Sequence, residues 1–277
     1  MKIIGLGIQA GRIGLVGLML GIGGCGGDYD NGPDCRYDAD WLNGRCSVDF
    51  EPPAIVIADG IWRGRDANGA DVVALVSPFS RLRYVDGIGR IGSGVVSAGT
   101  DNTLGGSFEL VTAYGDAFAD GSTVADCVVS GTLVERVTIT VSEECITRAG
   151  LAFDEQLTLT FDPMYNQGSS LTETAGVYQL SSGDVLNVGA DGALFSQSGS
   201  TDCVISGDIS VIVSFANMYA VTFEIDNCTG VDAFWNGSGF DGLAFVDTGD
   251  MPEMLFFAVN GEVASMPVGI IEEAIRL

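Results

Sequence analysis

The chemistry open to this chain is bounded first by a residue it lacks. Its 277 residues include no histidine, which removes Ser-His-Asp and Cys-His nucleophiles and every histidine-ligated metal site. Carboxylates and cysteines remain. Paired carboxylates alone can hydrolyse glycosidic bonds at separations of about 5 to 9.5 Å, and Glu109, Asp116, Glu224 and Asp241 are candidate members of such a pair. With 37 acidic residues in the chain, acid pairs arise by composition, and no motif singles these four out. The sequence therefore points to a non-enzymatic protein with no catalytic residue, cofactor or metal, and the alternative is a carboxylate-dependent carbohydrate-active enzyme. Asp28, Asp30 and Asp34 beside Gly32 suggest an Asp-rich calcium loop. An EF-hand needs glycine at position six and glutamate at position twelve, whereas counting from Asp28 places Gly32 fifth and Ala39 twelfth, so a solvated acidic linker is expected.

Seven cysteines stand at positions 25, 35, 46, 127, 145, 203 and 228, and none has the CxxC spacing of a zinc cluster or thioredoxin-like centre. An odd number in an exported chain leaves one to explain. The start of the chain supplies the explanation. Lys2 and Arg12 bracket a charged head, Ile13 to Ile22 form an apolar run, and Gly23, Gly24 and Cys25 follow, which is a signal-peptide layout. A helix spanning a bilayer needs about 20 apolar residues, so a processed segment is expected rather than a retained span. The tetrad Ile22-Gly23-Gly24-Cys25 resembles the bacterial lipobox. That resemblance implies a diacylglycerol on the Cys25 thiol, cleavage in front of it, and acylation of the new amine; two or more acyl chains hold a protein stably on a membrane where one does not. Gly26, in place of an inner-membrane-retaining Asp, implies the outer membrane, at its periplasmic face or the cell surface. With Cys25 lipidated, six cysteines remain. Their simplest connectivity of the fifteen possible is Cys35 with Cys46, Cys127 with Cys145 and Cys203 with Cys228, and an oxidising compartment permits it.

The formal net charge of −25 becomes −27 once Lys2 and Arg12 leave with the signal, and the mature chain then has no lysine. Such a surface repels phosphate backbones, so nucleic acid is excluded as a partner. The partners expected are the membrane, through the lipid, and an envelope protein, glycan or small apolar ligand. Trp62, Phe234, Trp235 and Phe240 are the aromatics from which ligand contacts would come, although each type packs more often in a core or rim. Arg81 and Arg83 share a strand face and could pair with acids or hold an anion. Gly89 to Gly94, GRIGSG, has no helix after it to bind phosphate and reads as a turn.

These residues must be positioned by strands. Forty glycines and short alternating apolar runs require many tight turns. Strands are predicted at 55–58, 72–76, 81–85, 107–113, 137–141, 157–161, 185–188, 220–225, 243–246 and 254–259. Asn260-Gly261 and Asp191-Gly192 read as hairpin turns, and the terminal IIEEAIRL reads as a brief helix or last strand. The fold class is all-β: two tandem antiparallel domains, small barrels or sandwiches, at 54–168 and 169–277. They follow a signal peptide at 1–24 and an acidic tether at 25–53 carrying the Cys35–Cys46 knob. The tandem rests on an internal repeat, because Asp126 to Leu133 (DCVVSGTL) matches Asp202 to Ile209 (DCVISGDI) at five of eight positions, and Gly60-Ile61-Trp62 opens its half as Gly176-Val177-Tyr178 opens the other. The register is uneven. Asp126 follows Trp62 by 64 residues, but Asp202 follows Tyr178 by 24, so either the first half carries an inserted hairpin or Ile91 to Gly94 is the true counterpart of Val204 to Gly207.

The segments SSLTETAGVYQL, VLNVGADGALFSQSG, DCVISGDIS, NMYAVTFEIDNC and GFDGLAFV resemble a group of uncharacterised proteobacterial lipoproteins across most of residues 54 to 277. The likeness implies the location and the β fold, and brings no activity, cofactor or catalytic residue. Asn217 to Tyr219 has no clear counterpart before Cys145.

Overall fold

A computed structural model describes residues 39–40, 45–46, 57–249 and 252–277. Cys25, the signal segment, Asp28, Asp30, Asp34 and the Cys35–Cys46 pairing lie outside the described residues. In the N-terminal unit, β1 (Ala39–Asp40) and β2 (Arg45–Cys46) form a short antiparallel ladder.

The main unit contains two closed antiparallel barrels of eight strands each. The first comprises β3 (Gly60–Arg65), β4 (Asp71–Val76), β5 (Arg81–Val85), β6 (Ile91–Ala98), β7 (Thr103–Val111), β8 (Val124–Val134), β9 (Thr138–Thr147) and β10 (Ala152–Asp162). β10 closes it against β3, Phe161 facing Trp62. A 3-10 turn over Pro163–Gln167 and the one-turn α1 (Leu171–Thr174) lead to the second. That barrel comprises β11 (Gly176–Gln179), β12 (Val185–Val188), β13 (Ala193–Gln197), β14 (Val204–Val211), β15 (Tyr219–Asp226), β16 (Ser238–Asp247), β17 (Met254–Val263) and β18 (Met266–Arg276), closed by β18 on β11. Ser170 caps α1 in a capping box with Glu173, which turns the chain sharply into β11.

The same geometry underlies both barrels. Tracing paired residues round the first, from Trp62 through Ala74, Tyr84, Gly92, Leu110, Ala125 and Thr147, the row returns displaced by ten residues. From Gly176 through Val188, Leu194, Gly207, Phe223, Phe240, Gly261 and Val268, the second row is displaced by the same ten. A barrel of eight strands has a bore that side chains can fill or that one small ligand can occupy. The entry to each is also alike. The Trp62 indole N–H donates to the Ala58 carbonyl at 3.0 Å, and the Tyr178 hydroxyl donates to the Thr174 carbonyl at 2.7 Å, both four residues back and both from fully buried rings.

Eight strands in each barrel leave no inserted hairpin in the first half. By strand order the counterpart of β14 is β6, so Ile91 to Gly94 answers Val204 to Gly207, and DCVVSGTL instead lies on the sixth strand of its barrel. Gly94 and Gly207 each face a phenylalanine, Phe108 and Phe223. A Cβ at either would lie 2.1 Å from a neighbouring carbonyl oxygen, so only glycine allows the strands this close. Cys127 pairs directly with Cys145 across β8 and β9, and Cys203 with Cys228 just beyond the ends of β14 and β15. The disulfides therefore staple different strand pairs of the two barrels.

Three strand-level readings change. Residues 57–59 are outside any ladder, so the run at 55–58 is not a strand where it is described. Ile91 to Gly94 belongs to β6, and of this run only Gly89 and Arg90 lie in the connection from β5 to β6. Asn260 and Gly261 sit inside the β17–β18 ladder, and the hairpin turns at Ala264 and Ser265, with φ of 50° and 66°. Two successive positive φ values are what a type I′ turn requires, and ladder length decided which pair adopts them. The Asp191-Gly192 hairpin is present, Gly192 at φ 91°, and IIEEAIRL is strand.

The barrels pack on each other. Ile61, Leu75, Val85 and Ile91 on the first meet Leu243, Phe245, Phe256 and Ala258 on the second in one buried cluster, and the Gly269 amide of β18 donates to the Thr112 carbonyl at 3.2 Å. Pro53 to Leu277 is accordingly one compact unit.

Candidate functional site

The interior of the first barrel is packed with apolar side chains. Trp62, Tyr84 and Phe108 occupy it, and Phe118, carried by the 112–123 segment, packs on Phe153 at 5.6 Å. The Arg90 guanidinium lies over both of those rings at 5.0 and 5.4 Å and pairs with Asp86. Within this core, Glu143 is 6% exposed. Burial, and next the Glu155 carboxylate, push it up to about 8.

The second barrel is open at one end. Between its walls lies an enclosed cavity of about 70 Å³, lined by Leu186, Leu194, Ile209, Val221, Leu255 and Phe257, among others. Leu180, Ile205, Ile225 and Ile270 line both this cavity and a mouth of about 350 Å³, so the two adjoin across these four side chains. The alternation of β12, β13 and β15 turns Leu186, Leu194, Val221, Phe223 and Ile225 inward. The mouth has different chemistry because turns build it. Ser182 and Asp184 come from the β11–β12 turn, and Ser196, Ser198, Ser200 and Thr201 from β13 and the turn after it. Asp232 and Trp235 come from the 3-10 turn Gly230–Trp235.

Several bonds fix the lip. The Cys203–Cys228 disulfide anchors it, and Cys203 itself lines the mouth. Asn236 clamps Cys228, accepting from its amide at 2.7 Å and donating to its carbonyl at 3.1 Å. Glu272, at the cavity edge, accepts from the Ser181 amide at 2.6 Å and hydroxyl at 2.9 Å. From the first barrel, Tyr114 stacks on Phe234 at 4.8 Å and meets Trp235 at 5.2 Å. The mouth is thus braced by both barrels.

Of the four candidate aromatics, the structure brings Trp235 to this mouth, and Phe234 packs behind it against Tyr114 and Trp235. Trp62 and Phe240 are core: Trp62 is enclosed in the first barrel, and Phe240 stacks on Phe223 inside the second at 5.3 Å. The candidate acids divide otherwise. Glu109, Glu224 and Asp241 line an open outer groove of about 1010 Å³, and Asp116 does not. Asp241 is held by Arg81 at 2.8 Å and Arg83 at 2.7 Å, and Glu109 by Arg148 at 3.2 Å. Arg81 and Arg83 therefore serve as ion-pair partners across the two barrels. Indeed all eight arginines between residues 57 and 277 are paired with an acid. Asn217, from the Asn-x-Tyr element, is structural: its side chain exchanges two hydrogen bonds with the Val246 backbone, at 2.7 and 3.0 Å.

Sequence reasoning missed the hydroxyl-rich mouth and Glu143. The signals were present, as SSGD and SQSGST are serine-dense turns at one end of consecutive hairpins, and Glu143 keeps the inward phase of Val141 and Cys145 on β9. Among the described residues no group of three or more Cys, Asp or Glu is placed to hold a metal ion, and no described helix is long and apolar enough to cross a membrane. The two disulfides indicate an oxidising, non-cytoplasmic location. No protein-family model matches the chain, and no curated protein matches it.

Proposed function

We propose that this protein is a lipid-anchored protein of the bacterial cell envelope, attached through Cys25 to the outer membrane, and that it binds a small, largely apolar ligand without chemical turnover. The observation that carries the binding role is the adjacency, across four shared apolar side chains, of a hydroxyl-bearing mouth and an apolar cavity in the second barrel. Ligand sites are commonly concave and mostly apolar, with a few placed polar groups, and the mouths of β-barrels are a usual place for them. Catalysis is disfavoured by the ion pairs that occupy Asp241 and Glu109. The anchor rests on the lipobox-like tetrad before Cys25 and on the odd cysteine it accounts for.

Two measurements test this reading. Cys25→Ala should shift the protein from the membrane to the soluble fraction, and retention in the membrane would refute the anchor. The full chain should enhance the fluorescence of the apolar dye N-phenylnaphthylamine, and Ser198→Trp, at the rim, should abolish the enhancement. An equal signal from the variant would place the dye elsewhere and refute the site.

A further inference from the structure

Resting on the reading of the second barrel as a binding module, we propose that its ligand is a single-chain aliphatic molecule with a neutral or cationic head, and that anionic heads are refused. The cavity sets the tail. Its walls are aliphatic apart from Phe223, Phe257 and the edge residue Glu272, and Glu272 is already engaged by Ser181. Nothing at the bottom can therefore satisfy a buried polar group, which would cost about 1–3 kcal/mol there. A volume of about 70 Å³, small beside the roughly 300–1,000 Å³ of pockets that take drug-sized ligands, suits a narrow chain end rather than a fused ring system.

The mouth sets the head. Asp184 and Asp232 line it, Glu272 borders the cavity below, and no arginine lines either space. Every arginine between residues 57 and 277 is paired with an acid elsewhere, and the only lysine is Lys2. A carboxylate or phosphate head would enter a site of like charge with no cation to meet it. The Ser182 hydroxyl already donates to Asp184 at 3.1 Å, and Ser198 and Ser200 share one hydrogen bond at 3.2 Å; the hydroxyl capacity that this pair and Thr201 keep can donate to an alcohol or amide and accept from an amine.

Competition against bound N-phenylnaphthylamine tests this on the full chain, using decylamine, decanol and decanoate at pH 7 below their micelle concentrations. Decylamine and decanol should displace the dye at least tenfold more tightly than decanoate. The Asp184→Asn/Asp232→Asn double variant, altered only at the rim, should narrow the amine-to-decanoate ratio to about threefold or less. Decanoate competing as well as decylamine would overturn the assignment of the head, and failure of all three while the dye still binds would overturn the assignment of the tail. A dye that does not bind the wild-type chain at all would instead defeat the binding reading on which this one rests.

Discussion

Glu143 shows how a single buried carboxyl can set the pH response of a whole barrel. Its ordinary value is 4.5, and in the folded chain it is pushed up to about 8, so between these values the folded state holds a proton that the unfolded state has lost. Its contribution is fully present below about pH 4.5 and is lost as pH rises through 8. Glu143→Gln should therefore leave stability at pH 4.5 nearly unchanged, raise it by about 2–4 kcal/mol at pH 8.5 and flatten the urea midpoint against pH. A variant with the wild-type slope would contradict this. Arg83 makes the opposite case, a buried cation whose pKa is lowered chiefly by desolvation and supported by Asp241. Asp241→Ala leaves Arg83 buried without that anion and should cost about 1–3 kcal/mol, discounted because Asp241 is half exposed. Asp71→Ala, at the exposed Arg65 pair, should cost under about 0.5 kcal/mol in the same urea titration. The arginine pairing was legible in the sequence as an alternative. Its partner was not, because Arg81 and Asp241 are 160 residues apart and meet only once the barrels dock.

At the scale of elements, what could be read depended on how many faces of a strand are buried. β9 and β15 alternate because only their inner face is covered, whereas MLFFAV of β17 is apolar throughout. Leu255, Phe257 and Val259 line the bore, while Phe256 and Ala258 face the first barrel. Such a run reveals a strand but not which face is which. Turn chemistry misled at Asn260-Gly261, where pairing continues two residues further and Ala264 and Ser265 accept the strained conformation. The Cys127–Cys145 and Cys203–Cys228 pairs were legible because each closes a local hairpin. Their non-equivalence was not, since matching octapeptides fall on different strands. Replacing Cys127 and Cys145 together by Ala should lower stability by about 3 kcal/mol on chain entropy for an 18-residue separation. Removing Cys203 and Cys228 should cost a similar amount and also weaken dye binding, because that bridge holds the lip. Equal dye affinity in both double variants would separate the lip from the site.

The whole molecule couples two barrels of one geometry to different ends, a filled barrel and an open one. The seam of Ile61, Leu75, Leu243, Phe245 and Phe256 is fully or nearly fully buried, so either barrel expressed alone would expose a contiguous apolar patch and should aggregate. The intact chain should unfold in one urea transition seen alike by far-UV signal and by Trp fluorescence; two separated transitions would mean that the barrels are independent. Ligand binding in the open barrel can be read from the methyl chemical shifts of the full chain titrated with decanol. Saturable shifts are expected at Leu186, Leu194, Ile205, Ile209 and Val221, with Leu82, Leu104 and Leu133 of the first barrel unmoved. Shifts confined to the outer-face residues Val95, Val128 and Ile146, or the absence of any saturable shift, would contradict it.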